Sequence, residues 1–113
     1  MDRITAFDEL QTRIWDEEYL LVFMTSADCG VCHADNGRLQ NLTEKLHFPC
    51  VRADIAEVPE AAGQLGVFSA PAVLLFYRGR EYHRQAGFLD FARLETRMAE
   101  LKGTDGMLKG VQK

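Results

Sequence analysis

The sequence predicts an α/β fold in which a central, mixed four-stranded sheet is flanked by helices on both faces. Apolar runs without polar alternation, at 19–25 and 72–77, are typical of strands that are buried on both sides. Segments with helical spacing lie between the strands, in the order α-β-α-β-α-β-β-α. Parallel strands need a crossover helix, whereas antiparallel strands need only a turn. This order therefore predicts parallel strands first and a hairpin near the end.

The first half of the chain supplies two helices and two strands. A helix is expected over 4–17, with Thr5 as its N-cap and acidic residues in its first turn. The run at 19–25 should form the central strand. A second helix should end near Leu46, and a short strand over 50–54 follows it.

The second half predicts a short helix, a hairpin and a last helix. The short helix covers 57–65, with a proline near its first turn and a glycine after its end. A strong apolar strand, 72–77, then turns at 78–80 into a strand over 81–85. Asp90 can cap the last helix, whose apolar residues recur at i, i+3, i+7 and i+10.

The chain of 113 residues is long enough for one domain with a single core. We assign residues 1–102 to this domain. Residues 103–113 contain three glycines and no sustained periodicity, so they are predicted to form a flexible C-terminal tail.

The composition is that of an ordinary globular protein and argues against several kinds of partner. A net charge of −4 disfavours nucleic acid and anionic membrane. The longest apolar stretches are too short to span a bilayer, and no signal peptide is visible. Three cysteines, an odd number at low density, argue against a structural disulfide framework. We therefore expect a cytoplasmic protein.

The stretch that carries chemistry is Asp28-Cys29-Gly30-Val31-Cys32-His33, between a predicted strand and a predicted helix. A helix N-terminus has free N–H groups and a partial positive charge, both of which favour a thiolate. Cys29, at the helix start, should be the exposed nucleophile, and Cys32, one turn in, should resolve the mixed disulfide. The Asp28 carboxylate opposes thiolate formation, and a protonated His33 would favour it.

The same residues are open to other interpretations. The two cysteines could be unrelated core residues. Cys29-x-x-Cys32-His33 also matches the c-type haem attachment signature, although haem attachment needs an export route and usually a helical fold. A zinc site is the third alternative, because Cys29, Cys32 and Cys50 with His33 or His47 supply enough ligands for tetrahedral coordination.

Several motifs together resemble the thioredoxin family over Thr5 to Leu101. Their order along the chain makes the resemblance specific. They are Cys29-Gly30-Val31-Cys32 after a buried strand, Asp54 closing the next strand, Gly66 to Pro71 leading into the apolar run Ala72 to Phe76, and then Gly79 and Gly87.

The resemblance implies a thioredoxin-like fold and a thiol–disulfide oxidoreductase that reduces protein disulfides through Cys29 and Cys32. It implies that Pro71 follows a cis peptide bond beside the dithiol and that Ala70 presents backbone groups to an extended substrate. Gly30 and Val31 are expected to contact the substrate as well. It further implies a monomer that needs no bound cofactor or metal. A thioredoxin-reductase-like partner, flavin-dependent and NADPH-linked, would supply its electrons.

The sequence departs from the usual family pattern in four places. Asp28 replaces a tryptophan, and Val31 replaces a proline. A buried acid on the strand before the motif is replaced by Phe23, or by Val22 if the alignment has a one-residue gap. Cys50 falls about where relatives often carry a lysine near that acid, and we interpret it as a core cysteine. These changes motivate a second hypothesis, a non-catalytic thioredoxin-fold adaptor that binds a protein partner.

Overall fold

The computed structural model describes the backbone of residues 1–111 and the side chains of residues 1–103. In chain order the elements are β1 (Asp2–Arg3), α1 (Phe7–Asp16), β2 (Tyr19–Thr25), α2 (Gly30–Lys45), β3 (Cys50–Asp54), α3 (Pro59–Leu65), β4 (Ala72–Tyr77), β5 (Arg80–Ala86) and α4 (Phe91–Val111). The α/β class, the helices and the strands predicted from the sequence are all present.

The strands form one mixed sheet in the order β1-β3-β2-β4-β5. β1, β3 and β2 run parallel, β4 runs antiparallel to β2, and β5 closes a hairpin with β4. The predicted count of four strands is wrong, because β1 adds a fifth at the edge. β1 is only two residues long, with Asp2 opposite Val51, so it is too short to produce a strand pattern in the sequence.

Each face of the sheet is covered by two helices, which confirms the prediction of helices on both faces. Residues of α1 and α3 join one core cluster, which includes Val22 of β2. Residues of α2 and α4 join the other cluster, which includes Phe23 of β2 and Cys32 of α2. Because successive residues of a strand point to opposite faces, β2 contributes side chains to both clusters and is buried on both sides.

The ends of the helices follow the sequence signals in part. Asp90 caps α4 as predicted, because its carboxylate accepts the Arg93 N–H at 3.0 Å. Gly66 ends α3 in the left-handed conformation, with φ of 68°. The prediction that Thr5 caps the first helix is wrong. Ala6 occupies the N-cap of α1, and the Thr5 N–H donates to the Glu9 carboxylate at 3.2 Å.

The predicted flexible tail, residues 103–113, begins within α4. The side chains after Gly103 and residues 112–113 lie outside the described part of the structure, so the flexibility of this segment stays a prediction. In the part that is described, no helix is both long and apolar enough to cross a membrane.

Candidate active site

The cysteine pair lies at the edge of the sheet that is formed by the ends of the strands, where the central strand β2 stops. After Thr25, the last residue of β2, a three-residue loop leads to Cys29, which is the N-cap of α2. Because β4 is antiparallel to β2, the residue before β4, Pro71, belongs to the same edge. β5 is antiparallel to β4, so the residue after β5, Gly87, also belongs to it. The topology therefore brings the Cys-x-x-Cys motif and the Pro71 loop to one end of the sheet.

The two cysteines are joined in a disulfide, with their Sγ atoms 2.09 Å apart and their Cα atoms 5.3 Å apart. Cys29 is partly buried, whereas Cys32 is only 6% exposed and belongs to the core cluster under α2 and α4. A partner can therefore approach the sulfur of Cys29 more readily than that of Cys32. This is the order of accessibility expected from the sequence.

The start of α2 offers backbone N–H groups that no side chain caps, and its first turn contains no acidic residue. These groups and the helix dipole favour negative charge on the Cys29 sulfur. Asp28 is exposed just before the helix, and its N–H donates to Ser26 Oγ at 3.3 Å. His33 is exposed as well. The start of the helix therefore favours a thiolate at Cys29, and the exposed Asp28 carboxylate opposes it.

The Pro71 loop has the geometry that the family resemblance implies. The Ala70–Pro71 peptide bond is cis. The Gly87 N–H donates to the Pro71 carbonyl oxygen at 2.8 Å, which ties the loop to the residue after β5. Ala70 and Cys29 pack against the same core cluster. Gly30 and Val31 are exposed on the α2 side of this edge, Val31 by 57%.

Two aromatic residues at this edge were not predicted as site residues. Phe68, in the Pro71 loop, is 82% exposed, and Phe88, which follows Gly87, is 91% exposed. The signal that could have identified them is a single phenylalanine in a predicted loop, close to a glycine or a proline. Of the five large apolar side chains exposed in the described residues, these two and Val31 lie at the edge that carries the dithiol.

A polar cavity of about 300 Å³ lies beside the dithiol, and no pattern in the sequence predicted it. Its walls come from β2, the loop after it, α2 and β3. The lining residues are Thr25, Ser26, Cys29, Cys32, His33, Asn36 and Arg52. The cavity therefore places polar side chains next to the two cysteines.

The structure identifies which residue replaces the family's buried acid. Phe23 belongs to the core cluster that contains Cys32, whereas Val22 belongs to the opposite cluster. Phe23 is therefore the residue on the dithiol side of β2. The expectation that Cys50 lies near this position is wrong, because the register pairs Cys50 with Leu21 and pairs Arg52 with Phe23.

Cys50 is a buried free cysteine, as interpreted from the sequence. Burial in apolar surroundings raises the pKa of its thiol to about 12, so the thiol is neutral at physiological pH. Cys50 lies opposite Leu21, four residues along β2 from Thr25, which is roughly 13 Å at the rise of an extended strand. The structure therefore does not bring the third cysteine to the pair.

The zinc interpretation needs three or more ligands in one place. No such group of His, Cys, Asp and Glu side chains occurs among the residues whose side chains are described. His47, the other proposed ligand, lies at the far end of α2 from the cysteine pair.

Comparison with known proteins decides the family, because the family model described as Thioredoxin matches residues 3–100. The chain belongs to the thioredoxin family. A thioredoxin-like protein of Bacillus subtilis (strain 168), YdfQ, is 29% identical over 101 residues, which are 87% of this chain and 88% of that protein. A thioredoxin of Alicyclobacillus acidocaldarius is 29% identical over 94 residues, 80% of this chain and 89% of its own.

Solved thioredoxin structures share the fold of this chain. Mitochondrial thioredoxin 3 of Saccharomyces cerevisiae, in its oxidised form, superposes with a TM-score of 0.81 at 21% identity, over 88% of this chain and 94% of that one. The thioredoxin of Plasmodium falciparum gives 0.80 at 19% identity, over 88% and 98%. Together with the bonded cysteine pair, thioredoxin family membership supports thiol–disulfide oxidoreductase chemistry.

Proposed function

We propose that this thioredoxin-family protein reduces disulfides in other proteins, in a reducing compartment such as the cytoplasm, with Cys29 as nucleophile and Cys32 as resolving thiol. One observation carries the proposal: the bonded pair at the start of α2 has one accessible and one shielded sulfur. The chain has one bonded cysteine pair and one unpaired core cysteine, Cys50. This use of cysteine suits a compartment that keeps thiols reduced.

The reaction proceeds by two thiol–disulfide exchanges. The Cys29 thiolate attacks one sulfur of the substrate disulfide, which breaks the substrate S–S bond, forms a mixed disulfide and releases one substrate thiolate. The Cys32 thiolate then attacks Cys29 Sγ and releases the second substrate thiolate. Two electrons pass from the dithiol to the substrate, the released thiolates take up protons, and the protein is left in the disulfide form described above.

The substrate-binding surface is proposed to consist of Gly30, Val31, Ala70 and Pro71. A side chain built on Gly30 would meet nothing within 4 Å, so the space in front of the α2 start is open to a partner. Ala70 can offer its backbone groups to an extended chain, because the hydrogen bond from the Gly87 N–H to the Pro71 carbonyl oxygen holds the loop in place.

No bound cofactor enters this scheme. Electrons return to the disulfide from a separate reductase, of the flavin-dependent and NADPH-linked kind that serves the family. All the proposed site residues belong to one chain, so we propose that the protein acts as a monomer.

The test is reduction of insulin disulfides, followed by the precipitation of insulin chains, with dithiothreitol as electron source. The native protein should accelerate reduction above the dithiothreitol background, and Cys29→Ser should abolish that acceleration. Cys32→Ser should accumulate a mixed disulfide through Cys29, detectable by mass spectrometry, because the resolving thiol is missing. Cys50→Ala is the matched cysteine control and should keep its activity. Equal rates for native protein and Cys29→Ser would refute the proposal.

A second candidate function is a binding module that does not turn over. Phe23 favours it, because this apolar residue, in the same core cluster as Cys32, cannot move a proton. This candidate predicts no insulin reduction above background by the native protein, together with a dithiol potential outside the range of the cellular thiol pools.

A further inference from the structure

Asn36 carries a buried acceptor that no donor satisfies. Its Oδ1 atom is buried and has no hydrogen-bond partner among the described residues. Such an atom costs free energy, since it has given up its bonds to water. Asn36 lines the same cavity as Cys29 and Cys32, so its unsatisfied oxygen belongs to the surroundings of the dithiol.

The helix geometry places this side chain on the same face of α2 as Cys32. Asn36 lies four residues after Cys32 on α2, and such residues are neighbours on one helix face, with Cβ atoms roughly 5–6 Å apart. Helical side chains lean toward the N-terminus, so the Asn36 amide covers the turn that contains Cys32. Cys32 is buried there, away from competing water.

The other polar groups of the cavity do not satisfy Asn36 in this form. Arg52, on β3, lines the cavity, but its side chain makes no ion pair within the described part of the chain and no hydrogen bond to the Asn36 oxygen. His33 is exposed to solvent. The sulfur atoms cannot donate either, because a disulfide carries no proton.

Reduction supplies a donor for the Asn36 oxygen, because a Cys32 thiol is a hydrogen-bond donor. We propose that Asn36 Oδ1 accepts the Cys32 S–H in the dithiol form and thereby stabilises the reduced protein. The inference rests on the proposed function in one respect, that Cys29 and Cys32 cycle between dithiol and disulfide. Asn36 is a positioning residue that acts through Cys32.

The consequence is a shift in the equilibrium with glutathione. Two glutathione thiols supply two electrons and two protons, the Cys29–Cys32 bond breaks, and glutathione disulfide forms. Because the amide finds its donor only in the dithiol form, it favours that side of the reaction. It makes the protein easier to reduce than it would be with an apolar residue at position 36.

The test measures the dithiol-to-disulfide ratio in a fixed glutathione buffer for the native protein and three variants. Asn36→Ala should lower the ratio about fivefold, the effect of one hydrogen bond, which corresponds to a potential about 20 mV more negative. Asn36→Asp keeps an acceptor oxygen and should hold the ratio at or above the native value. Asn41→Ala, at an exposed position on the same helix, is the control and should leave the ratio unchanged.

Unfolding of both redox forms separates this role from a merely structural one. Asn36→Ala should lower the stability of the dithiol form more than that of the disulfide form, and the difference should match the shift in the glutathione ratio. Equal losses of stability in both forms would overturn the proposal, and so would an unchanged ratio. It would also be overturned if Asn36→Asp lowered the ratio as much as Asn36→Ala does. Both measurements are independent of insulin turnover, so a loss of the proposed function alone would leave this result intact.

Discussion

The reactivity of each of the three cysteines is set by where its sulfur lies. Cys29 is partly exposed at uncapped N–H groups of α2, and Cys32 is shielded one turn further in. Cys50 is enclosed by apolar neighbours that keep its thiol neutral. Under the proposed function, the same side chain therefore serves three purposes: a nucleophile, a resolving thiol and a small core residue.

The raised pKa of Cys50 predicts selective labelling. In the reduced protein at pH 8, iodoacetamide should modify Cys29 and leave Cys50 unmodified until guanidinium unfolds the chain, as read by mass spectrometry of the peptides. The folded pKa, about 12, lies above the unfolded value, so the unfolded state loses this proton first as pH rises. Stability should therefore fall above about pH 8.5, and Cys50→Ala should reduce that fall. Labelling of Cys50 as fast as Cys29 would contradict the assignment.

Phe68 and Phe88 predict a preference for substrates with apolar residues near the disulfide. Truncation to serine removes apolar area from the edge that carries the dithiol, so each change should raise the KM for insulin about three- to tenfold. Reduction of a small disulfide such as hydroxyethyl disulfide should stay at the native rate. Trp15→Ser is the matched control, because Trp15 is 72% exposed but lies beside the Gly79 turn at the other end of β4. An equal KM increase in that variant would refute a specific docking role.

At the scale of elements, the start of α2 differs from the start of α4. α4 is capped by Asp90, whose carboxylate satisfies an N–H of the first turn. The N-cap of α2 is Cys29, and no side chain there accepts a hydrogen bond from the first turn. The N–H groups of α2 are therefore free of side-chain partners at the position of the Cys29 sulfur. The stabilisation that a capping side chain would add, about 1 kcal/mol, is absent.

Two glycines in different elements predict opposite effects of the same substitution. Gly37 lies inside α2, and an added Cβ would meet nothing within 4 Å, so Gly37→Ala should stabilise the protein by about 1 kcal/mol. Gly79 has φ of 82°, and its added Cβ would lie 3.0 Å from Trp15, so Gly79→Ala should cost about 1–2 kcal/mol. Thermal unfolding should show a higher Tm for the first variant and a lower one for the second. Shifts of the same sign would contradict this account of the two elements.

At the scale of the whole molecule, one sheet separates two apolar clusters that each need their own pair of helices. The last buried residue described in the cluster under α2 and α4 is Leu101, which is 1% exposed. Lys102 still contributes, because its ammonium donates to the His47 carbonyl oxygen at 3.1 Å. The packing that is described therefore extends at least to Lys102, and the boundary at residue 102 stays a prediction.

This boundary predicts the effect of shortening the chain. A protein of residues 1–102 should unfold within about 3 °C of the full chain, since less than about 0.5 kcal/mol is expected to change. A chain of residues 1–97 is the control. It loses Met98 and Leu101, both buried, so it should be destabilised by several kcal/mol or fail to fold. A large loss of stability in the longer chain would show that the predicted tail is part of the domain.

The sequence by itself determined the features that local physics decides. Hydrophobic period, turn residues and the Asp90 cap depend on neighbours within a few positions, so they predicted the helices, the strands from β2 onward and the Cys29–Cys32 pair. Only the tertiary structure decided which distant residues meet. The register placed Arg52 rather than Cys50 opposite Phe23, and packing opened the cavity that leaves the Asn36 oxygen unpaired. Such contacts depend on strand alignment and on the space between packed elements, for which a single sequence has no local signal.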